Sequence, residues 1–442
     1  MTDSPDARMR RRGVLTASLG ALAVATAACS TPRAAPVTPP LPHRNIRDFG
    51  AAGDGATDDT AAVAAAFRAD GPVAVFFPAG TYAVSAWPEM HEHSVVFGDG
   101  ADLSTLLYRG DGPLITIAGK QRIAFKSIGF YAVGPTSTCV RLTQAFRCSF
   151  DTVMFRGQHT SSASDQYKRQ TGIILEGDSG GTTFNNCDIN NFGRGLVTSC
   201  IQNYVSGSRF TTNHIGVLGT GNNRNAGLAM TNVEFVSTVD ATEYHVLIDG
   251  AANDWWLTNV WLEGCQYALK VGAPGVGGPS QFGMVNCKVA AQKLAIDLQH
   301  CRQPYLANVV FDADRDAAGR RELQINAQHC PEGTAIGLIS SAGSTIAPNT
   351  FPGGWNVLGR AGVELAPFTD TVVAQTPPRV DAFQARTAEG DVRCAITGGG
   401  DWVSTSAQTG VVLRSPNGTY WRLSVSDAGE VTARNVGPDR PA

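Results

Sequence analysis

Phe184-Asn185-Asn186-Cys187-Asp188-Ile189 and Met230-Thr231-Asn232-Val233-Glu234-Phe235 are two copies of one six-residue unit: apolar, any, small or Asn, apolar or small, any, apolar. Outward from these two, the same unit places Phe125, Ile128, Phe130, then Phe150, Val153, Phe155, then Val205, Ser208, Phe210 at its three inward positions. Further copies carry Leu257, Val260, Leu262, then Met284, Cys287, Val289, then Leu306, Val309, Phe311. Successive copies start 25, 34, 21, 25, 27, 27 and 22 residues apart, a spacing in which the strands are fixed and the turns vary. Asn holds the third place at Asn186, Asn232, Asn259, Asn286 and Asn308. An interior Asn at a bend is expected to bond the Asn of the next coil, as in stacked amide ladders. A second short strand with period-two alternation follows many units, as in Gly172-Ile173-Ile174-Leu175 and His245-Val246-Leu247-Ile248.

One such repeat cannot bury its apolar face alone, whereas stacked coils share a continuous core. The fold expected is therefore all-β: a right-handed parallel β-helix, or solenoid, over residues 45–345. A β-sandwich would not explain the repeated Asn. Residues 346–380, rich in Pro, Gly and Thr, read as a connector, and short alternating runs over 381–436 read as a small β module.

Composition narrows the function. Of 442 residues, 43% are hydrophobic and 17% charged, against a usual charged share of about 25%. The 49 Gly suit a turn-rich chain, and a net charge of −3 gives no basic surplus for nucleic acid. At the N-terminus, Arg10-Arg11-Arg12-Gly13-Val14-Leu15 leads an apolar run to Ala28, too short to span a membrane and organised like an export signal over residues 1–29. Arg11-Arg12-x-Val14-Leu15 resembles a twin-arginine signal, and Ala27-Ala28-Cys29 a lipobox with Cys29 as the lipidated residue, although Thr26 stands where Leu or Val is usual. The protein is thus expected to be exported, either held at the cell envelope by a lipid on Cys29 or secreted after cleavage near Ala28. Residues 30–44 form an extended tether. Ten Cys, nine without Cys29, argue against a complete disulfide framework, with Cys139–Cys148 the bridge left open.

The opening segment from Asn45 to Thr60 (NIRDFGAAGDGATDDT) is followed by an Ala-rich helix to Phe67 and then by Val75-Phe76-Phe77-Pro78-Ala79-Gly80-Thr81-Tyr82. It resembles the opening of the pectate-lyase-like β-helix superfamily, in the rhamnogalacturonase/epimerase-like branch related to family 28 glycoside hydrolases. The resemblance implies a polysaccharide substrate or glycan ligand. Read for its own physics, Asp58 or Asp59 can cap the helix, which plugs the open end of the solenoid. The 381–436 module resembles small modules at the ends of phage tail proteins, which implies packing or homotrimer formation; glycan contact through Trp402, Tyr420 and Trp421 is the other reading.

No P-loop, zinc-binding Cys pair or metalloprotease His motif is present. Gly177-Asp178-Ser179-Gly180-Gly181 matches the nucleophile motif of trypsin-like proteases, yet no His and Asp motifs precede it, and Gly and Asp belong in the turn before Phe184. Carboxylates remain. The fifth, outward place of the unit reads Gly129, Met154, Asp188, Arg209, Glu234, Trp261, Lys288, Val310. Strands about 4.8 Å apart would set Asp188 and Glu234, two coils apart, about 10 Å apart at the backbone, near the roughly 6.5–9.5 Å of an inverting glycosidase pair. Arg209 and Lys288 would hold uronate carboxylates, and Trp261 would stack on a sugar; a solvated face of alternating charge is the structural alternative.

A second group joins Asp249, Asp254 and Glu263 as candidate acids with Trp255 and Trp256 as candidate sugar contacts. The loop from Gly157 to Gln170, with His159, Asp165, Lys168 and Arg169, is a candidate groove wall. The Asn-Thr-Asp, Asp-Asp, Gly-His-Gly and Arg-x-Lys segments that family 28 hydrolases carry on successive coils do not appear in recognisable form at the expected place. The leading expectation is a glycoside hydrolase that needs no cofactor or metal. The alternatives are a β-elimination lyase, with Lys288 or Arg209 as base and calcium as its only conceivable ion, or a non-catalytic glycan-binding adhesion protein.

Overall fold

A computed structural model describes residues 43–312 except 201, 222–226 and 251, then 324–340, 350–358 except 353, and 381–439 except 387–390 and 407–408. The export signal, Cys29 and nearly all of the tether lie outside the described residues. So does most of the connector.

Each six-residue unit joins the end of one strand to the start of the next, with a single bend residue at its third place. Thr183–Asn185 lies on one face and Asp188–Asn190 on the next, with Asn186 between them at φ 51°. Such a φ belongs to the left-handed region, which Asn tolerates better than most residues. The same bend has positive φ at Ser127, Thr152, Gly207, Asn232, Asn259, Asn286 and Asn308. After the second strand the chain turns again into a third face, here Arg194–Thr198, and then starts the next coil at Asn203–Ser206.

Strands of successive coils pair in parallel on all three faces. The first face is a 13-stranded sheet from His43–Asn45 to Gly354–Leu358. The second and third faces join where Trp261–Val271 and Lys288–Leu298 run without a break through both. The fold is thus the parallel β-solenoid that the repeat predicts. Its rungs reach further than expected, since Gly354–Leu358 pairs with Glu332–Ile336.

Two features depart from the sequence reading. The bend Asn side chains are exposed, not interior: the positive φ turns Cβ outward, and the amides bond along the outside. Asn259 Nδ2 donates to Asn232 Oδ1 at 2.7 Å and Asn308 Nδ2 to Asn286 Oδ1 at 3.1 Å. The Cys139–Cys148 bridge is absent. Both are free thiols in the core, where burial pushes the Cys148 thiol up to about 11.

Inside, like residues stack on like. Phe125, Phe150 and Phe184 form a column with ring centroids 5.1 and 4.9 Å apart, and Phe130–Phe155 and Phe210–Phe235 repeat it at 5.0 and 4.6 Å. The rings are nearly parallel because the backbone spacing of adjacent coils is itself close to ring-stacking distance. At the N-terminus, helix Thr60–Phe67 buries Ala62, Val63, Ala66 and Phe67 in the same core. Asp58 caps it through Thr60 N at 2.9 Å. Asp59, at the N-cap position, instead ties down the Gly loop by accepting from Ala52 N and Gly53 N at 2.6 and 3.1 Å.

Within 381–436 lie two three-stranded antiparallel sheets, the first from Asp381–Arg386, Val392–Thr397 and Trp402–Ser404, the second from Val412–Arg414, Tyr420–Val425 and Val431–Gly437.

Replacing Phe150 by Ala removes the middle ring of a stack and is expected to cost about 3–5 kcal/mol. Asn259→Gly, which keeps an easy positive φ, should cost well under half of that. Denaturant unfolding of the two variants beside the parent checks both.

Candidate functional site

The six-residue unit fixes which side chains point outward on the second face. Met154 pairs with Asp188, Asp188 with Arg209, Arg209 with Glu234, Glu234 with Trp261, and Trp261 with Lys288. The outward column read from the sequence is therefore one continuous ladder. Gly129 and Met154 at its start are buried, whereas Asp188, Arg209 and Trp261 are exposed.

The charges on this ladder are mutually satisfied. Arg209 Nε donates to Glu234 Oε2 at 2.7 Å. Lys288 Nζ reaches Glu263 Oε1 at 2.7 Å and Asp312 Oδ2 at 2.9 Å, and lies 5.8 Å from the centre of the Trp261 ring. Those two carboxylates push the lysine pKa up, chiefly through hydrogen bonds and against a small opposing desolvation. Asp188 is the exception. Its carboxyl is held above the ordinary range, first by desolvation; Arg209 pulls it down, Asp102 pushes it up, Arg156 pulls it down and Glu234 pushes it up.

Glu263 belongs to this face through a second outward column, two residues further along each strand. That column includes Arg156, Asn190, Thr211, Val236 and Glu263. Arg156 was missed in the sequence, although the same periodicity points it outward. Asp102 lies in a turn before the strand Ser104–Tyr108, outside any repeat signal.

The group of Asp249, Asp254 and Glu263 comes apart. Ala252–Thr258 is a first-face strand, and the bend at Asn259 turns the chain before Glu263, so Asp254 and Glu263 sit on different faces. Asp249 lies just past the third-face strand Tyr244–Ile248. Trp255 is fully buried over Gly219, where a Cβ would come within 2.4 Å of the indole, whereas Trp256 is 40% exposed on the first face. Ser179 is also buried. Its Oγ donates to Glu176 O at 2.8 Å and accepts from Ala145 N at 3.1 Å, so the protease-like motif is a turn.

The loop 157–170 runs as a strap along the border of the second and third faces. His159 Nε2 lies 2.8 Å from Ala241 O, Ser162 N donates to Asp240 O at 2.8 Å, and Ser162 Oγ sits 2.9 Å from His214 Nδ1. It starts in the coil of Met154 and is fastened beyond the strand of Glu234, so it passes the coils of Asp188 and Arg209. His214 Nε2 lies 3.3 Å from Glu243 Oε2, and the His159 and His214 rings are 5.7 Å apart. Desolvation, then Lys168, His159 and Arg194, depress His214 to about 4 against the pull of Asp165. His159 is lowered by desolvation and Lys168 despite its bond to Ala241. A separate hollow of about 390 Å³, lined by Trp87, Glu89, Met90, Thr116 and Lys120 among others, shares no residue with the ladder.

A parallel β-solenoid with a carboxylate and guanidinium ladder on one outer face defines the structural class. Residues 43–243, somewhat under half of the chain, match the family described as rhamnogalacturonase A/epimerase, pectate lyase-like. Shorter stretches are similar to two curated proteins: the non-secreted LysM effector LysM19 of Penicillium expansum, 42% identical over 77 residues, and the mannuronan C5-epimerase AlgE3 of Azotobacter vinelandii, 39% identical over 90. These alignments cover 14% and 18% of this chain and only 6% and 5% of the relatives. Among solved structures, tailspike protein 2 of the Escherichia coli O157:H7 bacteriophage CAB120 superposes with a TM-score of 0.49 at 10% identity, covering 89% of this chain and 62% of that one.

His159 in the strap and His214 beneath it both have their pKa lowered in the fold and would take up protons more readily once the strap is released. The strap is therefore held fully above the ordinary histidine pKa of about 6.5, and its anchoring weakens as pH falls from there towards about 4. Limited proteolysis should show cleavage within 157–170 rising over that window, and His214→Gln should flatten the rise.

Proposed function

We propose that the protein hydrolyses a polysaccharide lying along the second face, with Asp188 and Glu234 as the acid/base pair. The observation that carries this reading is the contrast between these two in-line carboxylates. Asp188 is kept protonated to higher pH than a free carboxyl by desolvation, while Glu234 accepts a hydrogen bond from Arg209. Protonated Asp188 would donate its proton to the glycosidic oxygen, and Glu234 would take one from the attacking water. Two strand spacings, about 9.6 Å at the backbone, separate the two groups, with Arg209 on the strand between them. The match of residues 43–243 to that family supports a polysaccharide as the substrate class, as does the likeness to an enzyme named as an epimerase of mannuronan.

The elimination alternative is less well supported. Lys288 as base would have to be neutral, and the carboxylates of Glu263 and Asp312 favour its ammonium form. Arg209 is likewise engaged with Glu234. Export of the protein and a lipid on Cys29 remain part of the proposal, from the sequence of residues 1–29.

The test follows reducing ends and unsaturated-uronate absorbance together across acidic and neutral polysaccharides. New reducing ends without the absorbance are expected, and both rising together would replace hydrolysis with elimination. Asp188→Asn and Glu234→Gln should each lower kcat by about 10²–10⁴-fold while binding persists. Full turnover by Glu234→Gln would overturn the assignment of the pair.

A further inference from the structure

The first face carries an outward column of a different kind. Following the pairing from coil to coil gives Tyr204, Ala229, Trp256, Gly283, Tyr305. The three aromatics are 46%, 40% and 37% exposed. They occupy alternate coils, and the coil between each pair contributes only Ala or Gly. The indole of Trp256 lies over Gly283, where a Cβ would come within 2.3 Å of Cζ3, so the ring leans along the sheet and is not upright on it. A larger residue at 283 would push that ring away.

The lining beside the column is almost uncharged. Two residues further along each strand are Ser206, Thr231, Thr258, Val285 and Ala307. On the other side, Asp254 and Gln281 are exposed and paired in register. None of these is Lys or Arg. An anionic chain would find no cation on these strands, whereas hydroxyl groups flank the rings.

We infer that Tyr204, Trp256 and Tyr305 form a second glycan-binding site, separate from the second-face ladder, which takes an extended, neutral, 1,4-linked polysaccharide. Strands two coils apart lie about 9.6 Å apart at the backbone, close to the two-sugar repeat of such a chain. Each ring would thus meet the same face of every second sugar, and the apolar face of a pyranose ring would cover the exposed aromatic surface. Ala229 leaves a sugar between Tyr204 and Trp256 room, whereas Gly283 lets the Trp256 ring lie flat along the sheet. The site acts by binding alone and does not depend on whether the second face hydrolyses anything.

The test uses the full chain carrying Glu234→Gln, so that turnover cannot consume the ligand. Affinity electrophoresis in gels containing hydroxyethylcellulose, as a soluble neutral 1,4-glucan, is run beside gels containing polygalacturonate. Retardation by the neutral polymer is expected. Trp256→Ala should weaken it roughly tenfold, the triple replacement of Tyr204, Trp256 and Tyr305 by Ala should abolish it, and Trp256→Tyr should restore much of it. Thermal unfolding and sedimentation of each variant separate loss of the site from loss of fold or assembly. Unchanged retardation in the triple variant, retardation by polygalacturonate alone, or an aromatic-dependent change of oligomeric state without glycan binding would each overturn the inference. None of these results alters the reducing-end measurement on the second face.

Discussion

The bend between the first and second faces governs the rest of the molecule. It spends a single residue at positive φ, and from Ser127 to Asn308 it never takes a second. An extra residue there would exchange inside for outside along the following strand, since side chains alternate at a period of two. Because the bend length is constant, the three inward positions stay inward in every coil. The outward fifth position also stays in register from Gly129 to Val310. Chemistry on the outer face is thus set by this one-residue constraint, although the bend side chains do none of it.

The constant bend also places equal side chains above one another, with opposite results inside and outside. Inside, Phe on Phe packs at stacking distance, and Cys187 and Cys287 fill inward places as buried thiols. Outside, equal charges so close would repel. The second face accordingly alternates: Asp188, Arg209, Glu234, then Trp261 before Lys288. Along the ladder Asp188 has Arg209 above it and buried Met154 below it. Desolvation raises its pKa, and the pull of Arg209 opposes that rise.

How much of this was legible depends on range along the chain. The rungs, the inward residues and the fifth-place ladder follow from a local period and could be read before any coordinates. The pairing of Glu263 with Lys288 needed the second outward column, which the same period supplies but which was overlooked in favour of the nearby Trp255 and Trp256. The strap could not be read in this way. Its anchor joins His159 to Ala241 across 82 residues, and no periodicity marks a contact made by an insertion. Nor does composition reveal that Asp59 would bond the Gly loop, since a helix cap and a loop clamp use the same residue type. The outward orientation of the bend Asn was also hidden, because an amide ladder looks alike in sequence on either side of a wall.

The two outer faces handle charge differently. On the second face, Arg209 and Lys288 are expected from the sequence to hold substrate carboxylates, yet each already binds a carboxylate of the protein. An anionic sugar there would have to displace Glu234, Glu263 or Asp312, and the displaced group would repel it. A neutral sugar meets no such competition, and it leaves the Arg209–Glu234 contact in place beside Asp188. The first face bears aromatics flanked mainly by hydroxyl and apolar residues, so it selects against anions by a different route, the absence of any cation on its strands between Tyr204 and Tyr305. One mechanism neutralises charge within the wall and the other omits the cations, and both favour an uncharged chain.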